Sequence, residues 1–310
     1  MEALICKNIT KSYEKGNKAL DRLSFSVPAK GIFAVIGRNG AGKTTLMRIL
    51  ATELMPSSGS ASMDGIDVVG GAVKLREIIA VLPQESRAVN WMTPLQTILS
   101  YLMYRGMNYS EAKKKAHVAL AAIGMAKLEK TLNSKLSGGQ KRKVLVASIL
   151  ASDAPIIFVD EPTTGLDPIS RAELWGMLKR LKKTHFVFLT THYLEEAEKL
   201  ADTICIIDEG KLKGIGTLEE IRKLVKYQYS IKILEKGRKA KIDEGEEVVG
   251  EDGFAQIMTT EKEADRLSSR FIKEKVRFSI NPMSLEDIFY YVVKKPIDAE
   301  EEAKDYGSWF

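Results

Sequence analysis

The sequence predicts an α/β fold built on a phosphate-binding loop set between a buried parallel strand and a helix. Three observations predict it. The run Gly37-Arg38-Asn39-Gly40-Ala41-Gly42-Lys43-Thr44 matches G-x-x-x-x-G-K-[ST]. It sits behind the unbroken apolar run Ile32-Phe33-Ala34-Val35-Ile36 and ahead of the helix pattern Thr45-Leu46-Met47-Arg48-Ile49-Leu50. A second apolar run, Ile156-Ile157-Phe158-Val159, ends in Asp160-Glu161, placing two carboxylates at the carboxyl end of a strand, where open α/β sheets bind ligands. Beyond Lys223 strands and helices alternate again over a shorter span, as in a second, small α/β domain.

The loop comes first because its chemistry is the most specific. Backbone N–H groups over Gly37 to Thr45 would wrap phosphates at a helix N-terminus, with Lys43 reaching the β and γ phosphates and the Thr44 hydroxyl on Mg2+. Asp160 would hold the same Mg2+, directly or through water, while Glu161 would orient and polarise an attacking water.

A third run, Leu136-Ser137-Gly138-Gly139-Gln140, precedes the apolar helix pattern Val144 to Leu150, so Ser137 or its glycines sit at another helix N-terminus. That is a second anion site, and one nucleotide does not need two such cradles in one chain. This run resembles the signature motif of the ATP-binding cassette family. Cassettes of that family stack head to tail, and each signature closes over ATP held by the other's phosphate loop. The resemblance runs through residues 1 to about 218 in family order. It implies that Tyr13 stacks on adenine and that Gln84 touches Mg2+ or its water and links the site to an inserted helical subdomain. Asp167, in Gly165-Leu166-Asp167, matches the dimer-contacting loop, and His192 matches the histidine near the γ-phosphate. Lys43, Gln84, Ser137, Asp160, Glu161 and His192 are all present, so the resemblance implies a hydrolytically competent site with Lys43, Glu161 and His192 as its catalytic groups. The guanine-reading N-K-x-D pattern is absent, since Asn17-Lys18 is followed by Ala19-Leu20, and ATP is the expected nucleotide.

Length and composition agree. The 310 residues suggest about two domains, and 45% apolar content is ample for a core. Cys6 and Cys205 lie in apolar strand-like stretches and read as buried, reduced thiols. Met1-Glu2 opens the chain without a basic-then-apolar leader, which favours the cytoplasm. The formal charge is +6. Residues 296–310 carry Asp298, Glu300, Glu301, Glu302 and Asp305 against Lys304, so the body is more basic than the total, as suits nucleotide and an anionic membrane surface. Lys113-Lys114-Lys115 and Lys141-Arg142-Lys143 read as solvated helix faces, and no nucleic-acid partner is expected.

The longest charge-free stretch, Ala88 to Tyr104, is too short and too polar to span a membrane. Trp91, Leu95, Ile98, Leu99, Leu102 and Met103 share one helical face there, which packs the helical subdomain. The resemblance adds that this segment receives a membrane permease, with the socket running from Trp91 to Met103. The expected organisation is thus a cassette over residues 1–222, with the helical insertion at about 85–145. A small C-terminal domain of ferredoxin-like order follows at 223–295, and an acidic tail at 296–310. In that domain strands are expected at 227–234, 254–258 and 276–280 and helices at 261–273 and 284–293, with Ser284 as a cap and residues 235–253 as a charged connection. It resembles the extension of cassettes serving drug and polysaccharide exporters, which implies an ATPase subunit at the cytoplasmic face of the membrane. That subunit would pair with a second cassette and a permease. The alternative is a soluble cassette ATPase acting on ribosomes or DNA. It is disfavoured because such translation proteins usually carry two cassettes per chain and the repair relatives long heptad arms, both lacking here.

Overall fold

The computed structural model describes residues 3–13, 16–235, 237, 241–249 and 254–293, and the chain divides between Leu212 and Lys213 into two compact units. The first unit opens with strands β1 (Ala3–Ser12), β2 (Lys18–Pro28) and β3 (Gly31–Ile36). Helix α1 (Lys43–Leu50), strands β4 (Ser58–Met63) and β5 (Ile66–Asp67), helix α2 (Ala72–Ile78) and strand β6 (Ile79–Leu82) come next. Three helices follow, α3 (Pro94–Tyr104), α4 (Tyr109–Ala122) and α5 (Gly138–Leu150). Alternation then resumes with β7 (Ile156–Asp160), α6 (Pro168–Leu181), β8 (Phe186–Thr191), α7 (Leu194–Leu200), β9 (Thr203–Asp208) and β10 (Lys211–Gly216).

The central sheet has the order β10-β9-β3-β8-β7-β6, and β9, β3, β8, β7 and β6 run parallel. Its inner strands are apolar without alternation because both faces are covered, and β7 and β8 are buried along their whole lengths. Phe33, Phe188 and Phe158 stand opposite one another in register, with neighbouring ring centroids 5.4 and 5.3 Å apart. Each such buried ring contributes about 1.5–3 kcal/mol. Register also decides where function can lie. Ile36 pairs with Thr191 and Asp160 with Thr190, so the carboxyl ends of β3, β8 and β7 lie side by side at one end of the sheet. A second sheet, β2-β1-β4-β5, is antiparallel. Cys6 and Cys205 are free and buried, and burial pushes the Cys6 thiol up to about 12 and Cys205 upward as well.

Helices α3, α4 and α5 close around Ile98, Leu102, Ala116, Leu120, Val144 and Ala147, with Leu95 and Leu99 packed against them. The face read as one helical stripe is therefore mostly core. It also begins later than expected. Thr93 and Gln96 form a reciprocal capping box and Pro94 takes the first helical position, so Trp91 falls outside the helix and stands 73% exposed. Met103 is 46% exposed. Among the described residues no helix is long and apolar enough to cross a membrane.

The second unit contains α8 (Leu218–Arg222), β11 (Tyr229–Ile233), β12 (Gly245–Val249), β13 (Ala255–Thr259), α9 (Glu261–Lys273), β14 (Phe278–Pro282) and α10 (Leu285–Val293). Its sheet is antiparallel, ordered β12-β13-β11-β14, over a core of Ile231, Ile233, Ile257, Leu267 and Phe271. Three expectations change here. The charged connection contains β12, an edge strand whose Glu246 and Glu247 masked it in the sequence. From β11 onward the unit therefore runs strand-strand-strand-helix-strand-helix among its described residues, which is not the ferredoxin-like alternation. The strand expected from Val276 starts at Phe278. Lys275 has φ 54° and the Val276 N–H donates to Phe271 O at 2.9 Å, so these two residues close α9. Ser284 does cap α10, its hydroxyl accepting from Asp287 N. The acidic tail lies outside the described residues.

Candidate functional site

The phosphate loop lies between β3 and α1 and is held open by close backbone packing. Gly42 has φ 104°, and a Cβ there would come within 2.4 Å of Ala19 O, so only glycine fits. Gly42 makes no side-chain cap for α1, and the first N–H groups of the helix face the loop's mouth. Asn39, Gly40 and Thr44 are on the exposed rim, while Gly37, Ala41 and Lys43 are buried. Arg38 turns its side chain away from the loop, its Nε and Nη2 donating to Asp208 Oδ1 at 3.1 and 2.8 Å.

Lys43 is only 4% exposed; its ammonium donates to Gly37 O at 2.9 Å and Arg38 O at 3.2 Å and pairs with Glu161 Oε1 at 3.4 Å. The Thr44 hydroxyl donates to Asp160 Oδ1 at 3.3 Å, and Thr190 Oγ1 donates to the same oxygen. Burial raises the Asp160 carboxyl above the usual range, with the Thr190 and Thr44 hydroxyls pulling the other way. Glu161 behaves differently. Burial pushes its carboxyl up, but a hydrogen bond from His192 and the charge of Lys43 outweigh burial and hold it below the usual range. His192 Nδ1 lies 3.0 Å from Glu161 Oε2, and because an ionised carboxylate can only accept, Nδ1 carries the proton. Gln84 Nε2 and Thr164 Oγ1 donate to that oxygen at 3.2 and 3.3 Å.

The backbone of Glu161 has φ 42°, a left-handed conformation costing roughly 1 kcal/mol for a side-chain-bearing residue. Its N–H donates to Thr190 O at 3.1 Å, with Thr190 Oγ1 at 3.2 Å. Thr190 was not singled out in the sequence, and the strand register is what brings it to the Asp160 carboxylate and the Glu161 N–H. Arg142 was read as part of a solvated basic run. It instead turns inward and donates to the carbonyls of Pro162, Gln84, Asp160 and Glu161, while Lys143 pairs with Glu173. No local signal separates Arg142 from its neighbours; only helix phase on α5 does.

Lys43, Thr44, Gln84, Asp160, Glu161 and His192 thus converge. Tyr13 lies beside α1, its hydroxyl 3.4 Å from Thr45 Oγ1 and its ring 44% exposed. Ser137 and Gln140 spend their side chains on each other in a capping box, leaving the N–H groups of Gly138 and Gly139 at the start of α5. Gly139 is pressed against α6, where a Cβ would meet Ser170 Oγ at 2.3 Å. Asp167 caps α6, accepting from Ile169 N and Ser170 N at 3.0 Å each, and is exposed.

A phosphate-wrapping loop with its lysine, two carboxylates with pKa values shifted in opposite directions and a histidine, gathered at the carboxyl ends of parallel strands, define a P-loop nucleoside triphosphatase. Comparison narrows the class. The ABC transporter family matches residues 20–164. The chain is 34% identical over 221 residues to the daunorubicin/doxorubicin resistance ATP-binding protein DrrA of Streptomyces peucetius, an overlap of 71% of this chain and 67% of that protein. It is 35% identical over 231 residues, 74% of its length, to ABC transporter A family member 7 of Dictyostelium discoideum, yet spans only 28% of that much longer protein. A dimeric post-hydrolysis ATP-binding cassette bound to ADP and Pi superposes with a TM-score of 0.62 at 25% identity, covering 69% of this chain and 98% of that one. This chain belongs to the ATP-binding cassette family, as an ATP-hydrolysing cassette of a transporter.

Proposed function

We propose that the chain is the ATPase subunit of a membrane exporter, working as a head-to-tail pair of cassettes at the cytoplasmic face beneath a permease. The observation that carries the catalytic reading is Glu161, held ionised at the mouth of the phosphate loop with His192, Gln84 and Lys43 around it. In this reading Glu161 accepts the proton of the attacking water, His192 fixes that carboxylate and meets the γ-phosphate, and Lys43 moves from loop carbonyls to phosphate oxygens. Backbone from Gly37 to Thr45 cradles the phosphates and Tyr13 stacks on adenine.

Thr44 and Asp160 offer a hydroxyl and a carboxylate oxygen side by side, a hard-donor pair suited to Mg2+, with Gln84 as the third group within reach. Mg2+ would neutralise phosphate charge there. The N–H groups of Gly138 and Gly139, with Ser137 and Gln140, would close on the partner's ATP, and Asp167 would meet the partner across the pair. Trp91 and Met103 would present the exposed part of the permease socket. In this scheme the cassette is residues 1–222 and the extension 223–295. Export is supported by the likeness to DrrA, named for drug resistance.

The test is whether a neighbouring gene encodes a membrane protein of about six apolar segments, followed by co-expression of the two. Co-purification together with ATPase activity stimulated by transported compounds is the expected outcome; a subunit recovered alone and indifferent to the membrane protein would overturn the exporter reading.

A further inference from the structure

One guanidinium ties together the parts of the site that the sequence keeps far apart. Arg142 stands on α5, five residues after Ser137. Its Nε donates to Pro162 O at 3.0 Å and its Nη1 to Gln84 O at 3.3 Å, while Nη2 donates to Asp160 O at 3.1 Å and Glu161 O at 3.3 Å. Three of these carbonyls belong to consecutive residues that carry both carboxylates, and the fourth belongs to the glutamine bonded to Glu161. The planar fork is suited to this task, since its five donors have fixed directions, whereas a lysine ammonium is a point donor without that spread.

The segment it grips is the strained one. Glu161 holds φ 42°, and such conformations persist where surrounding contacts over-determine them. Thr190 fixes the Glu161 N–H from the β8 side. Arg142 fixes the carbonyl from the α5 side, so the direction of the Glu161 side chain is set between them. We infer that Arg142 is a positioning residue for ATP hydrolysis, holding the Glu161 backbone in its strained turn and linking it to the helix that carries Ser137. The inference rests on the proposed role of Glu161 as the group that polarises water. It goes beyond that role by assigning its orientation to a residue in the helical insertion. Position along α5 and the direction of Glu161 are then governed by a single side chain.

Kinetics of the purified full chain test it. Arg142→Lys keeps a positive charge but loses the fork. The turnover number should fall about 10- to 100-fold, as misplacement of a reacting group by an ångström does, while KM and ATP affinity stay within about threefold of wild type. The melting temperature should stay within a few degrees. Turnover within about twofold of wild type overturns the inference. So does a loss of ATP affinity as large as the loss of turnover, because Arg142 would then support the fold rather than the reacting geometry. Arg142→Gln, which keeps hydrogen-bond donors without the charge, takes its place if the lysine variant does not fold; if neither folds, the positioning role is overturned as well. Glu161→Gln is assayed in parallel. If it hydrolyses ATP like wild type, the reading of Glu161 falls and this inference with it. If it is inactive while Arg142→Lys is not, only this inference falls.

Discussion

Asp160 and Glu161 are adjacent in sequence, about equally buried and opposite in electrostatic character, and the difference lies in which partners each carboxylate meets. Asp160 accepts from two neutral hydroxyls, which only partly offset burial, whereas Glu161 faces a lysine ammonium and a histidine N–H. Burial thus dominates at Asp160, and the charged neighbours dominate at Glu161. Glu161→Gln keeps the shape and removes the charge, so ATP binding should persist while turnover falls by a factor on the order of 100 or more. Rapid filtration of bound ATP beside a phosphate-release assay reads both quantities; turnover near wild type with ATP still bound would remove Glu161 from the chemistry. Most of this site was legible as residue types at family spacing. Arg142 and Thr190 were not, because their roles come from helix phase and from strand register, neither of which a local pattern encodes.

Elements were legible where one physical rule dominated. The buried runs of β3, β7 and β8 have no competing reading, and α9 begins and ends where its amphipathic pattern does. Elements were misread where two rules competed. The apolar stripe continued back to Trp91, but capping by Thr93 with Pro94 behind it sets the start of α3, and a charged edge strand passed for a connection at β12. On α9 an electrostatic contact gives a testable consequence. The Glu263 carboxylate is bonded by Arg266 and accepts from Asp243 N at 2.8 Å, and together these outweigh burial and hold its pKa at about 2. A carboxyl depressed on folding adds stability that is complete above the ordinary glutamate range and drains away as pH falls toward 2. Amide-exchange protection, corrected for the intrinsic rate at each pH, should therefore fall over residues 255–293 in the full chain between about pH 4.5 and 2, and Glu263→Gln should lower protection at neutral pH and flatten that slope. An unchanged slope in the variant would assign the acid sensitivity to another group.

At the scale of the whole molecule, the two anion-binding helix starts are the clearest reason to expect a pair of chains. The loop at α1 has its lysine, hydroxyl and carboxylates gathered around it, while the start of α5 offers backbone N–H groups at an exposed Ser137 and Gly138 with its own side chains spent on capping. In the proposed head-to-tail pair a site of the second kind is completed by the nucleotide of the partner, each chain lending its α5 start to the other. Lys43→Ala should disable the site of its own chain, and Ser137→Arg the site of its partner. Each variant alone then forms pairs with two damaged sites and should hydrolyse almost no ATP. In an equal mixture random pairing makes about half of the dimers mixed, and each mixed dimer holds one intact and one doubly damaged site, so activity should recover to about a quarter of wild type if the sites act independently. ATP-dependent dimerisation followed by light scattering should recover in step. A mixture no more active than the separate variants would mean that closure needs both sites intact. Full dimerisation by either variant alone would show that the two helix starts do not serve a shared nucleotide, and the head-to-tail arrangement would be wrong for this protein.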